Sequence, residues 1–158
     1  MAIKKPLVYD GDGDIERLQS GDSLETGADN ISRVFTATTV IGAPVYADSA
    51  TSVQKAQANA RSTSVVVGLA AESVTAAGTG DVITDGALTA TTGEWDAVTG
   101  ETGGLTFNTK YYLSDAAAGA ILEKGNLVGL TAGDIMVELG VGISTTEMLV
   151  RIRRGIKL

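Results

Sequence analysis

Three aspartates two residues apart, Asp10, Asp12 and Asp14 in the run DGDGD, have the spacing of a metal-ligand set. Aspartates at the first, third and fifth positions open a calcium loop, which then needs Gly at position six and a bidentate Glu at position twelve. Those places hold Ile15 and Gly21, so the loop is not completed and a solvated acidic turn is expected. Glu94, Asp96 and Glu101 could serve as the carboxylate pair of a glycoside hydrolase. A sugar cleft usually presents several aromatic side chains, whereas only Trp95 lies near them in sequence. The glycine-rich runs Gly78–Gly80 and Gly100–Gly104 complete neither a dinucleotide fingerprint nor a phosphate loop, and turn chemistry accounts for both. The chain has no histidine and no cysteine, which removes imidazole catalysis, thiol nucleophiles, disulfides and Cys/His metal sites. The expectation is a protein without catalytic residues, cofactor or metal, one that acts by binding.

Composition sets the frame. A chain of 158 residues is one ordinary domain in length, with room for a single core. Ala, Gly, Thr and Ser fill 70 of the 158 positions, which favours short strands and tight turns over bulky layers. The many Val, Ile and Thr residues argue for order, since disordered chains are poor in them. A net charge of −7 disfavours nucleic acid, whose phosphates require Lys/Arg neutralisation. No apolar run is long enough for a membrane helix and no signal peptide opens the chain, so a soluble, intracellularly made protein is expected.

The pattern along the chain predicts an all-β fold, a compact β-sandwich or barrel with short helical turns and an extended N-terminal arm. Residues 1–30 hold too few large apolar side chains to bury themselves and are read as an arm or adapter; residues 31–158 form the β-rich domain. Strands are predicted over Arg33–Ile41, Val45–Ala47, Ser64–Leu69, Asp81–Ile83, Gly86–Thr91, Asp134–Ile143 and Glu147–Ile152. Turns are predicted at Thr84–Gly86 and Ser144–Thr146. Val53–Arg61 reads either as a helical turn or two or as strand and loop. Thr109–Ser114 and Ala120–Lys124 pair as a hairpin across Asp115–Gly119. Thr92–Val98 reads as a short helix with Thr92 as N-cap and Trp95 and Val98 on one face. Val65–Gly86 and Val137–Gly155 share a weak strand-turn-strand echo, expected of two similar hairpins within one domain. The expected core is Val65, Val66, Val67, Leu69, Trp95, Leu113, Val137, Leu139 and Ile143. Of the adjacent Tyr111 and Tyr112, one should enter the core and one should face out.

Two places are candidates for partner contact. In the arm, Ile3, Lys5, Pro6, Leu7 and Tyr9 form an extended segment able to add a strand to a neighbour's sheet edge. At the other end, four of the twelve basic residues and one of the nineteen acidic ones fall within the last eighteen positions. Arg151, Arg153 and Arg154, with Lys157, make a compact basic end. It reads either as a last edge strand whose arginines are solvated gatekeepers, or as a docking tail whose arginines fork onto an acidic neighbour.

The segments KPLVYDGDGDIERLQSGDSL (Lys5–Leu24), VVGLAAESVTAAGTGDVITDGALT (Val66–Thr89) and WDAVTGETGGLTFNTKYYLS (Trp95–Ser114) resemble virion proteins of tailed phages. The last of these is similar to a "W-x-x-V-T-G-x-x-G-G-L-x-x-x-x-x-Y-Y-L-S" pattern of that class. Together they cover about half of the chain. The resemblance implies a capsid decoration, or cement, protein. Such a protein is made in the bacterial cytoplasm and sits as a dimer or trimer on the outside of the virion head, where it bridges and stabilises major capsid protein subunits. It would use neither nucleic acid nor membrane. A head- or tail-fibre base is the alternative within the same class, and a carbohydrate-binding module or hydrolase is the alternative from another.

Overall fold

The computed structural model describes residues 29–127, 133 and 135–158 throughout, and residues 7–9 and 15–17 as paired strand backbone. The fold is all-β with one short helix, as the composition predicts.

Five strands close into a small barrel. They are β3 (Asp29–Phe35), β4 (Pro44–Ala47), β5 (Ser52–Lys55), β6 (Val66–Ala70) and the first half of β7 (Thr79–Thr89). Their order is β3-β5-β4-β6-β7, and β7 returns to pair with β3. Only β3 and β5 run parallel. The second half of β7 leaves the barrel and pairs with β12 (Glu147–Arg151). From there the sheet continues through β11 (Glu138–Gly142), β8 (Thr109–Leu113) and β9 (Ile121–Glu123). Two short antiparallel pairs complete the described strands, β1 (Leu7–Tyr9) with β2 (Ile15–Arg17) and β10 (Ile135–Met136) with β13 (Ile156–Lys157). Both halves of the sequence echo are antiparallel pairs of consecutive strands, β6/β7 and β11/β12.

The layout gives two cores where the length had suggested one. Phe35, Val45, Val53, Ala70, Val74 and Val82 fill the barrel. Leu69 and Ile83, one residue away from Ala70 and Val82, face the other way. They meet Trp95, Tyr111, Leu139 and Met148 in a larger core between barrel, sheet and helix. β6 and β7 are therefore a shared wall, apolar on both faces.

The predicted turn at Thr84–Gly86 is instead a β-bulge within one eleven-residue strand. β3 pairs Asn30 with Ile83 and Asp29 with Asp85, so Thr84 is the extra residue. Gly86 sits at φ +108°, where an L side chain is strained. The bulge exchanges the strand's faces. Ile83 points into the larger core before it, and Leu88, five positions on, does so after it. A flat strand would send those two side chains to opposite sides.

Other expectations change for similar reasons. β3 stops at Phe35, and the chain turns through a single bridge between Thr39 and Val74. Val53–Arg61 resolves into β5 followed by loop. The predicted Asp134–Ile143 strand divides at Val137 into β10 and β11. Val65 precedes β6 and is 63% exposed, and Ile143 lies in the β11–β12 turn at 39%. Val66 and Val67 are half-buried, one against each core, because a bulge in the β4–β6 pairing falls between Gly68 and Val66. Leu69, Trp95, Leu113, Val137 and Leu139 are buried as expected. Tyr111 enters the core; Tyr112, on the opposite face of β8, is also buried, at 7% exposure.

The helix α1 (Thr92–Thr99) has its cap one residue before the predicted one. Thr91, not Thr92, accepts the backbone N–H of Glu94, and the Glu94 carboxylate accepts the N–H of Thr91 in return. Gly100 closes the helix in the left-handed conformation. This frame delivers Trp95 to the core with its indole N–H donating to the carbonyl of Thr146 at 3.0 Å. Gly42, at φ +82°, makes the turn beneath the ring, and a Cβ there would lie 2.7 Å from Trp95 Cζ3.

Gly42→Ala therefore meets both an unfavourable φ and an immovable ring. It should lower unfolding stability by about 1–3 kcal/mol. Urea denaturation followed by fluorescence of Trp95, the only tryptophan, measures it directly. An unchanged midpoint would show that the ring can withdraw from Gly42.

Candidate docking groove

The carboxylates weighed for acid–base chemistry are each engaged in a hydrogen bond within the fold, two of them to the backbone. Glu94 closes the capping box. Asp96 accepts the N–H groups of Gly103 and Gly104 at 3.2 and 2.7 Å and so pins the loop after α1. Glu101 accepts the side-chain amide of Asn126 at 2.8 Å. Among the described residues no three acidic side chains converge as a metal site would need. Asp10, Asp12 and Asp14 lie outside the described residues. No helix among those described is long and apolar enough to cross a membrane.

The concave feature lies at the basic end. A groove of about 780 Å³ runs between the 59–66 loop and the C-terminal segment. Its apolar lining comes from Val65, Val66, Ile135, Val137 and Ile152. Arg61, Arg153, Arg154 and Lys157 supply the charge, and among the described residues no acidic side chain lines the groove. On a chain of net charge −7 this is a local inversion of sign.

Several constraints build that wall. β12 ends at Arg151, and the chain leaves the sheet through residues 152–155 before β13 pairs back onto β10. The N–H of Arg153 donates to the carbonyl of Glu138 at 2.9 Å. The half-buried Glu138 carboxylate takes Lys110 Nζ at 2.9 Å and Arg153 Nε at 3.4 Å. At Gly155 a Cβ would lie 2.8 Å from Ile135 and 3.0 Å from Val137, so a bare backbone packs directly on the groove floor.

The three predicted arginines are therefore split. Arg153 and Arg154 line the groove, whereas Arg151 ends an interior strand opposite Asp85 and does not. This corrects the reading of the basic end as an edge strand, because β12 is paired on both sides. Of the arm residues, Leu7 and Tyr9 lie on β1 opposite Arg17 and Ile15. Ile3, Lys5 and Pro6 lie outside the described residues. Sequence reasoning missed Arg61 and the apolar floor. Arg61 is ninety-two positions from Arg153, in a polar loop where one basic residue has no local pattern to mark it.

Two expectations follow from these contacts. The Thr91 backbone N–H, and then its hydroxyl, hold the Glu94 carboxyl below its ordinary pKa. A depressed folded-state value stabilises above the unfolded pKa and is lost as pH falls through the folded one. Glu94→Ala should therefore be less stable than the parent at neutral pH, with the gap in melting temperature closing below the ordinary glutamate range. A gap independent of pH would assign the loss to helix propensity instead. Glu138→Gln should cost about 1 kcal/mol, with a smaller effect in high salt, since the carboxylate faces two partly exposed cations. Denaturant titrations at two salt concentrations check it.

No family model, no curated protein and no solved structure matches the chain.

Proposed function

We propose that this chain is a capsid decoration protein of a tailed phage, a non-enzymatic structural component on the virion exterior that binds major capsid protein and stiffens the shell. The observation that carries the reading is the groove: a concave surface with an apolar floor and four cations on an otherwise acidic protein. Arginine beside desolvated apolar surface is the composition of a protein-docking site, and its charge suits an acidic neighbour. The carboxylates that could have served an active site hold backbone amides and an asparagine instead. The resemblance in Lys5–Leu24, Val66–Thr89 and Trp95–Ser114 directs this binding chemistry to a phage particle. In this reading Ile3, Lys5, Pro6, Leu7 and Tyr9 engage the capsid from the arm, and Arg153 and Arg154 engage an acidic neighbour, whether capsid or another copy, from the domain.

Immunogold labelling of the phage particles that carry this chain tests the reading. Label spread over the whole head is expected. Label confined to the tail or one vertex would replace it with a fibre base, and no label on any particle would overturn both. Removing residues 1–9 should abolish attachment to capsids while the Trp95 unfolding transition persists; retained attachment would dismiss the arm as the anchor.

A further inference from the structure

The groove requires an occupant that is acidic at several nearby positions and furnished with at least one apolar side chain. Its floor is apolar, with Val65 63% exposed. Its cations come from two segments far apart in sequence, Arg61 on one side and Arg153, Arg154 and Lys157 on the other. Cations on both walls select a chain that carries several negative charges in succession. An ion at a single point would not use both walls.

This protein's own sequence contains such a run, in the connection between β1 and β2, where Tyr9 pairs with Ile15. Residues 10–16 read Asp-Gly-Asp-Gly-Asp-Ile-Glu, with four carboxylates and one isoleucine in seven positions. Between residues 10 and 29 there are seven acidic residues and one basic residue, Arg17. The glycines between the aspartates leave little side-chain bulk to keep the backbone from a groove wall.

The geometry points to a second copy of this chain as the occupant: the groove lined by Arg61, Arg153, Arg154 and Lys157 receives the Asp10–Glu16 segment of a neighbouring copy. The carboxylates meet the cations of both walls and Ile15 meets the floor of Val65, Val66 and Ile152. The inference does not rest on the particle reading, because it is measured on the purified protein alone.

The experiment is sedimentation equilibrium of the full chain. One variant reverses the groove, Arg154→Glu with Lys157→Glu, both exposed positions; the other reverses the segment, Asp10→Lys, Asp12→Lys and Asp14→Lys. Trp95 fluorescence confirms that each retains its fold. The wild type should self-associate, more weakly in high salt. Each variant alone should weaken association by roughly tenfold or more. Mixing the two should restore it, because acidic groove then meets basic segment and basic groove meets acidic segment. A monomeric wild type, which a segment folded back onto its own groove would also give, overturns the inference. So does association unchanged by either variant, or a mixture that stays dissociated. Loss from the groove variant alone would assign the occupant to another acidic surface and also overturns it.

Discussion

The bulge at Thr84–Gly86 is the constraint on which the rest of the structure depends. β7 serves two masters: its first half closes the barrel against β3 and β6, and its second half founds the sheet against β12. Side chains of a regular strand alternate with a period of two, so positions 83 and 88 cannot share a face unless one residue is inserted. The bulge supplies it, and Ile83 and Leu88 enter the same core. Without that exchange Leu88 would turn to solvent, and the core begun by Leu69 and Ile83 on the barrel would lose the side chain that carries it onto the sheet of β12, β11 and β8.

The barrel side of that wall shows the same economy of space. Phe35 is the largest side chain in the barrel core, and Gly80 on β7 lies opposite it; a Cβ at Gly80 would come 3.4 Å from Phe35 Cε2 and closer still to Val74. The small-residue composition is thus a packing requirement, since two cores share walls one strand thick. Trp95 has the converse role. One large ring, held by its indole hydrogen bond and by Gly42 beneath it, fills the volume where helix, barrel and sheet converge. The indole hydrogen bond to Thr146 also ties the helix to the residue just before β12.

Much of this was legible in the sequence wherever the signal is local. The α1 helix with Trp95 and Val98 inward, the β8–β9 hairpin and the Ser144–Thr146 turn follow from spacing and turn chemistry. The failures share a cause. Thr-Asp-Gly has the composition of a turn, yet a bulge also calls for a glycine at positive φ, and local sequence does not distinguish them. Val65 has the composition of a core residue because it abuts Val66 and Val67, but the strand begins one residue later. One of Tyr111 and Tyr112 was expected to face out because period-two alternation sends adjacent residues to opposite faces; what covers the outer face is a matter of tertiary structure. The groove was half legible: the basic run marked Arg153 and Arg154, while Arg61 and the floor arrive from distant segments that only the folded chain brings together.

The placement of charge has a consequence for assembly. A chain whose C-terminal eighteen residues are basic while the remainder is strongly acidic is electrically polar, and like ends of two copies repel. Two-fold association through the groove face would set Arg154 and Lys157 of both copies against each other. Contact between groove and acidic segment joins two different surfaces, so it closes as a two-fold pair when two copies exchange segments and is heterologous when each copy passes its segment to the next. Heterologous contacts form a ring when the rotation between copies closes and a filament when it does not. A small closed oligomer built this way needs the acidic segment to leave one domain at an angle that returns to the first copy after a few steps.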